Sequence, residues 1–470
     1  MDNPFFEILE PRLLLSADLL CVAGDANLDR RVDWNDLQTL QANFGQTNAT
    51  WDQGDFNDDN IINAFDYISL KRNMGHINTF SAVIEADSLI ISGTAENDLM
   101  EISQVGDDIV FMDRVLSGDY NNVVVNSLDG NDIVRIDYSV LKDMQVFAGN
   151  GDDKVYENGQ CPATVNGEDG EDLLVTVGGG ADLIFGGNEK DSFWFDSFDV
   201  LFDASVNEEL TKSIHDITEF VSPFEDEIVS KEINGQNFQD PITSYPYQTD
   251  YSSYSLFGES PLYNDIRQGY IGDCYFMAVL SSLAHTDLDI LKQAITELGD
   301  GTYAVRYITS HNGEEFYYRI DGELPGYGYP RYARIVNNKI WVPLMEKAYC
   351  FFRYGQNSYA SLAGGWMTSV YPQITGGAVG NGQLYEYKTN KNYVDMVNMI
   401  QEYIDAGHSL SIATGSDSPI VSNHAYVILS AEETASGCFI TIYNPWGSSS
   451  RLTAEFFLEA FYPYFTISMF

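Results

Sequence analysis

Positive charge is the scarcest feature of this sequence: 24 Lys and Arg stand against 70 Asp and Glu, a formal net charge of −46. That deficit excludes a nucleic-acid partner, because phosphate contacts are driven by a surplus of basic side chains. Long apolar runs are missing as well. No stretch of 18 apolar residues occurs, which excludes a membrane-spanning helix. Cysteine is sparse and scattered, at 21, 161, 274, 350 and 438, with no Cys-x-x-Cys pair. Zinc ribbons and disulfide-stapled scaffolds are thereby excluded, and at least one thiol stays free. The first residues lack the basic start of a secretory leader: Asp2, Glu7 and Glu10 stand there, and Asp18 interrupts the apolar stretch.

What is present is enough apolar and aromatic side chain for packed cores: 44% hydrophobic residues, with 30 Tyr and 27 Phe among 470. The length suits two to four domains. The acid is unevenly spread. Residues 1–250 hold 49 of the 70 acidic and 12 of the 24 basic residues, a net of −37, and residues 251–470 hold 21 and 12, a net of −9. Such a front half suits cations, or a solvated acidic surface.

A repeat of period 30 opens that half. Gly24-Asp25-Ala26-Asn27-Leu28-Asp29 aligns with Gly54-Asp55-Phe56-Asn57-Asp58-Asp59, and Asp33 and Asp36 align with Asn63 and Asp66. Oxygen side chains fall at loop positions 1, 3, 5, 9 and 12 of each copy: Asp25, Asn27, Asp29, Asp33, Asp36, then Asp55, Asn57, Asp59, Asn63, Asp66. That spacing wraps a hard cation in the manner of an EF-hand loop, and a helix is expected after each last ligand. The pair resembles a dockerin type I module over 21–78. The resemblance implies two calcium-binding loop–helix units and a cohesin-like partner, with contact positions at Trp34, Asn35, Ala64 and Phe65. Loop position 6, ordinarily Gly, is Arg30 and Asn60; Asn tolerates positive φ better than Arg.

Between 79 and 200, glycine–aspartate motifs recur, as in Gly149-Asn150-Gly151-Asp152-Asp153 and Gly186-Gly187-Asn188-Glu189-Lys190-Asp191. The spacings are 21 and 19 (132 to 153 to 172), then 10 and 9 (172 to 182 to 191). The stretch resembles RTX, or haemolysin-type, repeats, which implies a β-roll-like, β-rich domain with calcium on Asp153, Asp172, Asp182 and Asp191. A degenerate β-rich spacer with few bound ions is the rival reading. Residues 201–250 read as an acidic linker. Leu9-Glu10-Pro11-Arg12-Leu13-Leu14-Leu15, within 1–20, resembles the LEPR-x-LL motif of exported bacterial proteins, which suits an extracellular or cell-surface location.

The chemistry lies in 251–470. Gln268-Gly269-Tyr270-Ile271-Gly272-Asp273-Cys274 runs into the apolar stretch Tyr275–Ala284, so Cys274 is expected in the first turn of a buried helix. There the helix dipole favours thiolate, and Gln268 offers amide N–H groups to an oxyanion alongside the main-chain N–H of Cys274. His424 opens a strand-like run 150 residues on, and Asn444-Pro445-Trp446-Gly447 ends the next. If the two pair as a hairpin, Asn444 orients the imidazole and Trp446 shields that bond.

With Trp341-Val342-Pro343-Leu344-Met345-Glu346-Lys347-Ala348-Tyr349, Leu362-Ala363-Gly364-Gly365 and Ile374-Thr375-Gly376-Gly377, these motifs resemble the calpain branch of papain-like cysteine peptidases. The resemblance implies an α+β catalytic core acting on polypeptide, with Cys274, His424, Asn444 and Gln268 as its machinery. It puts Gly365, Asn423 and Trp446 at the substrate cleft. Three departures stand out: Asn423 where calpains have Gly, Ser448-Ser449-Ser450-Arg451 where acids follow, and Lys339 where an acidic partner of Asp265 would hold calcium. An Asp265–Lys339 ion pair is therefore expected to replace one calcium, leaving the metal to the N-terminal modules. The expectation is a multidomain cysteine endopeptidase. Its alternatives are a Cys-His acyl transferase, such as a transglutaminase-like enzyme, or a calcium-stabilised surface or adhesion protein using the peptidase fold for binding.

Overall fold

The period-30 repeat folds as a pseudo-symmetric pair. In the computed structural model, which describes residues 23–469 apart from 28–31, 33, 48, 58, 75–79, 113 and 259, helices span Trp34–Asn43 and Ala64–Arg72. In each copy the last loop carboxylate turns back to the second loop residue: Asp36 Oδ1 accepts from Ala26 N–H and Asp66 Oδ1 from Phe56 N–H, both at 2.9 Å. Asn43 Nδ2 donates to Gln53 O, and its counterpart Asn73 Nδ2 to Ala23 O, so each helix end ties down the other loop's entrance. Ala26, Val32, Leu37, Leu40, Phe56, Ile62 and Leu70 fill the space between. Asn60 takes φ +63°, the left-handed turn expected of loop position 6. Asp29, Asp33 and Arg30 lie outside the described residues.

Residues 80–205 then wind as a β-solenoid. One sheet stacks Ser88–Ser92, Asn122–Asn126, Asp143–Asn150, Ala163–Asp169, Leu183–Asn188 and Val200–Leu201 in parallel. A second stacks Leu99–Val105, Ile133–Ile136, Lys154–Glu157 and Leu173–Val175, also in parallel. Each coil contributes one strand to each sheet, with alternate residues such as Val123, Val134, Val146, Val155, Val165 and Leu174 buried between them. The repeat unit is thus the whole coil of 19 to 21 residues, and the 10 and 9 spacings are its two half-turns. This explains why a strict nonapeptide register is missing earlier in the segment.

The chain divides into two compact units, one running through Phe193 and including Phe198–Ser205, the other Trp194–Ser197 with Val206–Phe470. The expected linker over 201–250 is corrected here: residues 206–250 belong to the second unit. Lys347 Nζ, fully buried, pairs with Asp240 at 2.5 Å as well as with Asp321 at 2.7 Å. Arg319 Nη1 donates to the carbonyls of Ser230 and Glu232. An acidic composition disguised a segment whose charges and carbonyls neutralise buried cations.

The second unit is α+β. A six-stranded antiparallel sheet is ordered Ala378–Gln383, Tyr464–Met469, Leu410–Ala413, Ala425–Thr434, Gly437–Asn444, Ser448–Thr453. Strand Ala425–Thr434 turns Ala425, Val427 and Leu429 into the core that surrounds helix Cys274–Thr286. Its alternate residues Tyr426 and Ile428 enter the core with helix Tyr393–Asp405. Among the described residues no helix is long and apolar enough to cross a membrane.

Candidate active site

Every residue from Tyr275 to Ala284 is buried, so the Cys274 helix is a core helix that reaches the surface only at its ends, with Cys274 at the first. Gly269 precedes it in close approach to another chain segment: a Cβ there would lie 1.8 Å from the Tyr332 carbonyl oxygen. The loop is thereby pinned, and Gln268 N–H donates to Pro445 O at 2.9 Å, which joins the cysteine loop to the turn after Asn444.

The hairpin expected between His424 and Asn444 forms. Strands Ala425–Thr434 and Gly437–Asn444 pair antiparallel, and His424 Nε2 lies 2.9 Å from Asn444 Oδ1. Thr414 Oγ1 accepts from His424 N–H and donates toward His424 O, which holds the main chain under the ring. The Trp446 ring stands 4.6 Å from the imidazole and is itself half-exposed. Burial pushes His424 below the usual imidazole range, with the Asn444 bond working the other way.

Cys274 is half-buried, and the nearby main-chain N–H of Ala425 is the strongest of the influences that favour its thiolate. Cys274 therefore lies against the residue next to His424. Burial pushes the thiol up, Asp273 adds to this, and the N–H donors work against it. The helix terminus was expected to favour thiolate; in the folded site desolvation wins.

Gln268 is held at both ends of its amide. Oε1 accepts from Trp446 Nε1–H at 2.9 Å, and Nε2 donates to Ile271 O at 2.7 Å and Asp273 Oδ1 at 3.0 Å. Asp273, fully buried, faces the equally buried Glu346, whose Oε2 accepts from Ala333 N–H. Burial, then Asp273's charge, pushes the Glu346 carboxyl well above its usual range. Asp273 and Glu346 stand inside motifs quoted from the sequence, but nothing in a linear pattern joins residues 73 positions apart.

Of the expected cleft residues, Gly365 packs under the Tyr275 ring, which a Cβ would meet at 2.6 Å. Asn423 sits at φ +50°, which explains how Asn substitutes for Gly. Lys339 Nζ lies 3.0 Å from Asp265 Oδ2 and donates to Ser260 O, while Asn337 Nδ2 donates to Asp265 Oδ1. In the Ser-rich stretch, Arg451 pairs with Glu432 and lies over Phe439. Three further histidines have structural partners: His215 Nε2 meets Gln293 Oε1, His285 Nε2 meets Leu429 O, and His408 Nδ1 meets Ser468 O.

Among the acidic residues, Asp55, Asp59 and Asp66 bring carboxylate oxygens within 4.8 Å of one another. Asp55 Oδ1 is buried without a hydrogen-bond partner, so this loop fits a hard cation. Asn57 and Asn63 here accept from Asp59 N–H and Phe65 N–H. The solenoid aspartates form a ladder instead: Asp132 N–H donates to Asp153, Asp153 N–H to Asp172, and Asp172 N–H to Asp191. Asp182 accepts from Ala163 N–H on the opposite turn. Burial pushes Asp153 up to about 7 and Asp172 up to about 8. Asp98 and Asp199 extend these ladders and carry no strong motif.

Comparison with known proteins agrees with this geometry. The family model for calpain family cysteine proteases matches residues 246–455. A calpain-type cysteine protease of rice, ADL1, is 30% identical over 211 residues, which cover 41% of this chain and 9% of that protein. Rat calpain-13 is 27% identical over 206 residues, 39% of this chain and 29% of that protein. The human calpain-2 catalytic subunit is 29% identical over 204 residues, 39% and 28%. Residues 246–455 are a calpain-family cysteine protease domain, and the chain spans under a third of each of these relatives.

Proposed function

We propose that the second unit hydrolyses peptide bonds through Cys274, His424 and Asn444. The observation that carries this is the convergence of distant segments: the His424–Asn444 bond at 2.9 Å, and Gln268, tied to the head of the cysteine helix through Asp273 and to the turn after Asn444 through Trp446 and Pro445. In the proposed reaction His424 takes the thiol proton as the sulfur attacks the carbonyl carbon. The oxyanion is met by Gln268 Nε2–H and the Cys274 N–H, and His424 returns the proton to the leaving amine. Water, deprotonated by His424, then releases the acid from the thioester. Digestion of casein by the full chain tests this. Wild type should cut and Cys274→Ala should not, and a thiol-directed epoxide should label Cys274. Cleavage that survives C274A would overturn the assignment.

For the remaining parts we propose calcium at the 24–36 and 54–66 loops, supported by the Asp55–Asp59–Asp66 cluster. Bound calcium would neutralise the cluster and fix the loop against its helix. Exposed Trp34 and Phe65, at the starts of the two helices, suit a dockerin-like surface for a cohesin-like partner. Calcium on the solenoid aspartates and an extracellular or cell-surface location belong to the same proposal. The Lys339 ammonium, seated on Asp265, supports a catalytic core that needs no calcium, so cleavage should persist in EGTA.

A further inference from the structure

A carboxylate only accepts hydrogen bonds. Two carboxyl groups bonded to each other must therefore hold at least one proton between them. Asp273 and Glu346 are buried against each other, and Asp273 Oδ2 and Glu346 Oε1 are each left without a hydrogen-bond donor, so a single proton between them would satisfy both. Asp273's remaining oxygen accepts from Gln268 Nε2, and Glu346's from Ala333 N–H. The opposite end of the Gln268 amide is fixed by Trp446.

We propose that the Asp273–Glu346 couple, sharing one proton, is the positioning device that aims the Gln268 amide at the reacting carbonyl. One Gln268 N–H stays on Asp273 and sets the amide's orientation. The other, now on Ile271 O, is the one an oxyanion would take. Charged and titratable groups facing the couple are Cys274 and Tyr275 from the cysteine helix, Cys350 from helix Trp341–Phe352, with Lys347 on the same helix, Arg353 beyond it, Tyr307 and Tyr359. The Lys347 charge is committed to Asp240 and Asp321, and Arg353 donates to the Ser361 and Gly364 carbonyls. None of these supplies a second proton to the couple at neutral pH. Loss of the shared proton would place two anions side by side and release Gln268.

This rests on the peptidase reading, and the test separates the two. Cleavage of fluorescent casein by the full chain would be followed from pH 5 to 9.5 for wild type, Glu346→Gln and Glu346→Ala. Glutamine can donate an N–H to Asp273 and accept from Ala333, so it replaces the proton permanently. E346A is expected to lose about 100-fold in kcat, with KM little changed, as for a missing oxyanion donor. E346Q should recover at least about tenfold of that loss and should lack the wild-type fall in kcat at alkaline pH. An E346Q profile that keeps the wild-type alkaline fall, or an E346Q kcat as low as that of E346A in a folded protein, would overturn the proposal. Wild-type-minus-E346Q infrared difference spectra supply a readout independent of turnover: a protonated carboxyl band at pH 7 that wild type has and E346Q lacks, the bands of the buried solenoid aspartates cancelling in the difference. Absence of that band from the difference also overturns the couple. If wild type neither cleaves casein nor reacts with a thiol-directed epoxide, the peptidase reading falls, and the band alone then decides the couple.

Discussion

At the residue scale, charge placement decides what each side chain can do. Lys339 occupies the position beside Asp265 that a cation would fill, and both are buried. Lys339→Ala should cost about 3–5 kcal/mol of stability, because it strands a buried carboxylate. Lys339→Glu should be worse in EGTA yet recover its melting temperature on addition of calcium; recovery without calcium would refute the cation-substitute idea. The Cys274 thiol is raised by burial, so thiolate is the minority form at neutral pH. Alkylation of Cys274 by iodoacetamide should therefore climb about tenfold per pH unit through pH 7 to 9, with no plateau at low pH. A flat profile from pH 5 would instead indicate a preformed thiolate–imidazolium pair. The placement of Cys274 at a helix start and of His424 against Asn444 was legible because thiol, imidazole and carboxamide are chemically distinctive and their motifs are local. Asp273 and Glu346 were not, since a carboxyl next to a catalytic motif looks solvated until its burial is seen.

At the element scale, the solenoid turns are the most constrained positions in the first unit. Gly149 has φ +103°, and a Cβ there would fall 1.6 Å from the Leu128 carbonyl oxygen. Gly149→Ala should destabilise the solenoid by more than about 1–3 kcal/mol, the range for backbone strain alone, as read by thermal unfolding of the full chain. An unchanged transition would mean that this turn is not built as described. The glycine–aspartate motifs announced the turns and the inward apolar residues. They gave spacings of 21 and 19 but did not show that each is one full coil, because that follows only when parallel strands stack and each aspartate accepts from a main-chain N–H one coil away.

At the scale of the whole molecule, the cysteine-site unit begins earlier than composition suggests. Residues 206–250 contribute Asp240 to Lys347 and the Ser230 and Glu232 carbonyls to Arg319. A chain starting at 251 should thus melt well below one starting at 206 and be cut faster by trypsin; equal stability of the two would refute the boundary. The sequence by itself determined the chemistry: a thiol at a helix start, an imidazole and a carboxamide on successive strands, and a paired oxygen-rich loop. Each rests on side-chain type and short spacing, which survive in one dimension. Only the tertiary structure decided which charges share protons, which are neutralised, and where the unit ends. Those outcomes depend on burial and on partners tens of residues apart, and desolvation reverses what an exposed side chain would do.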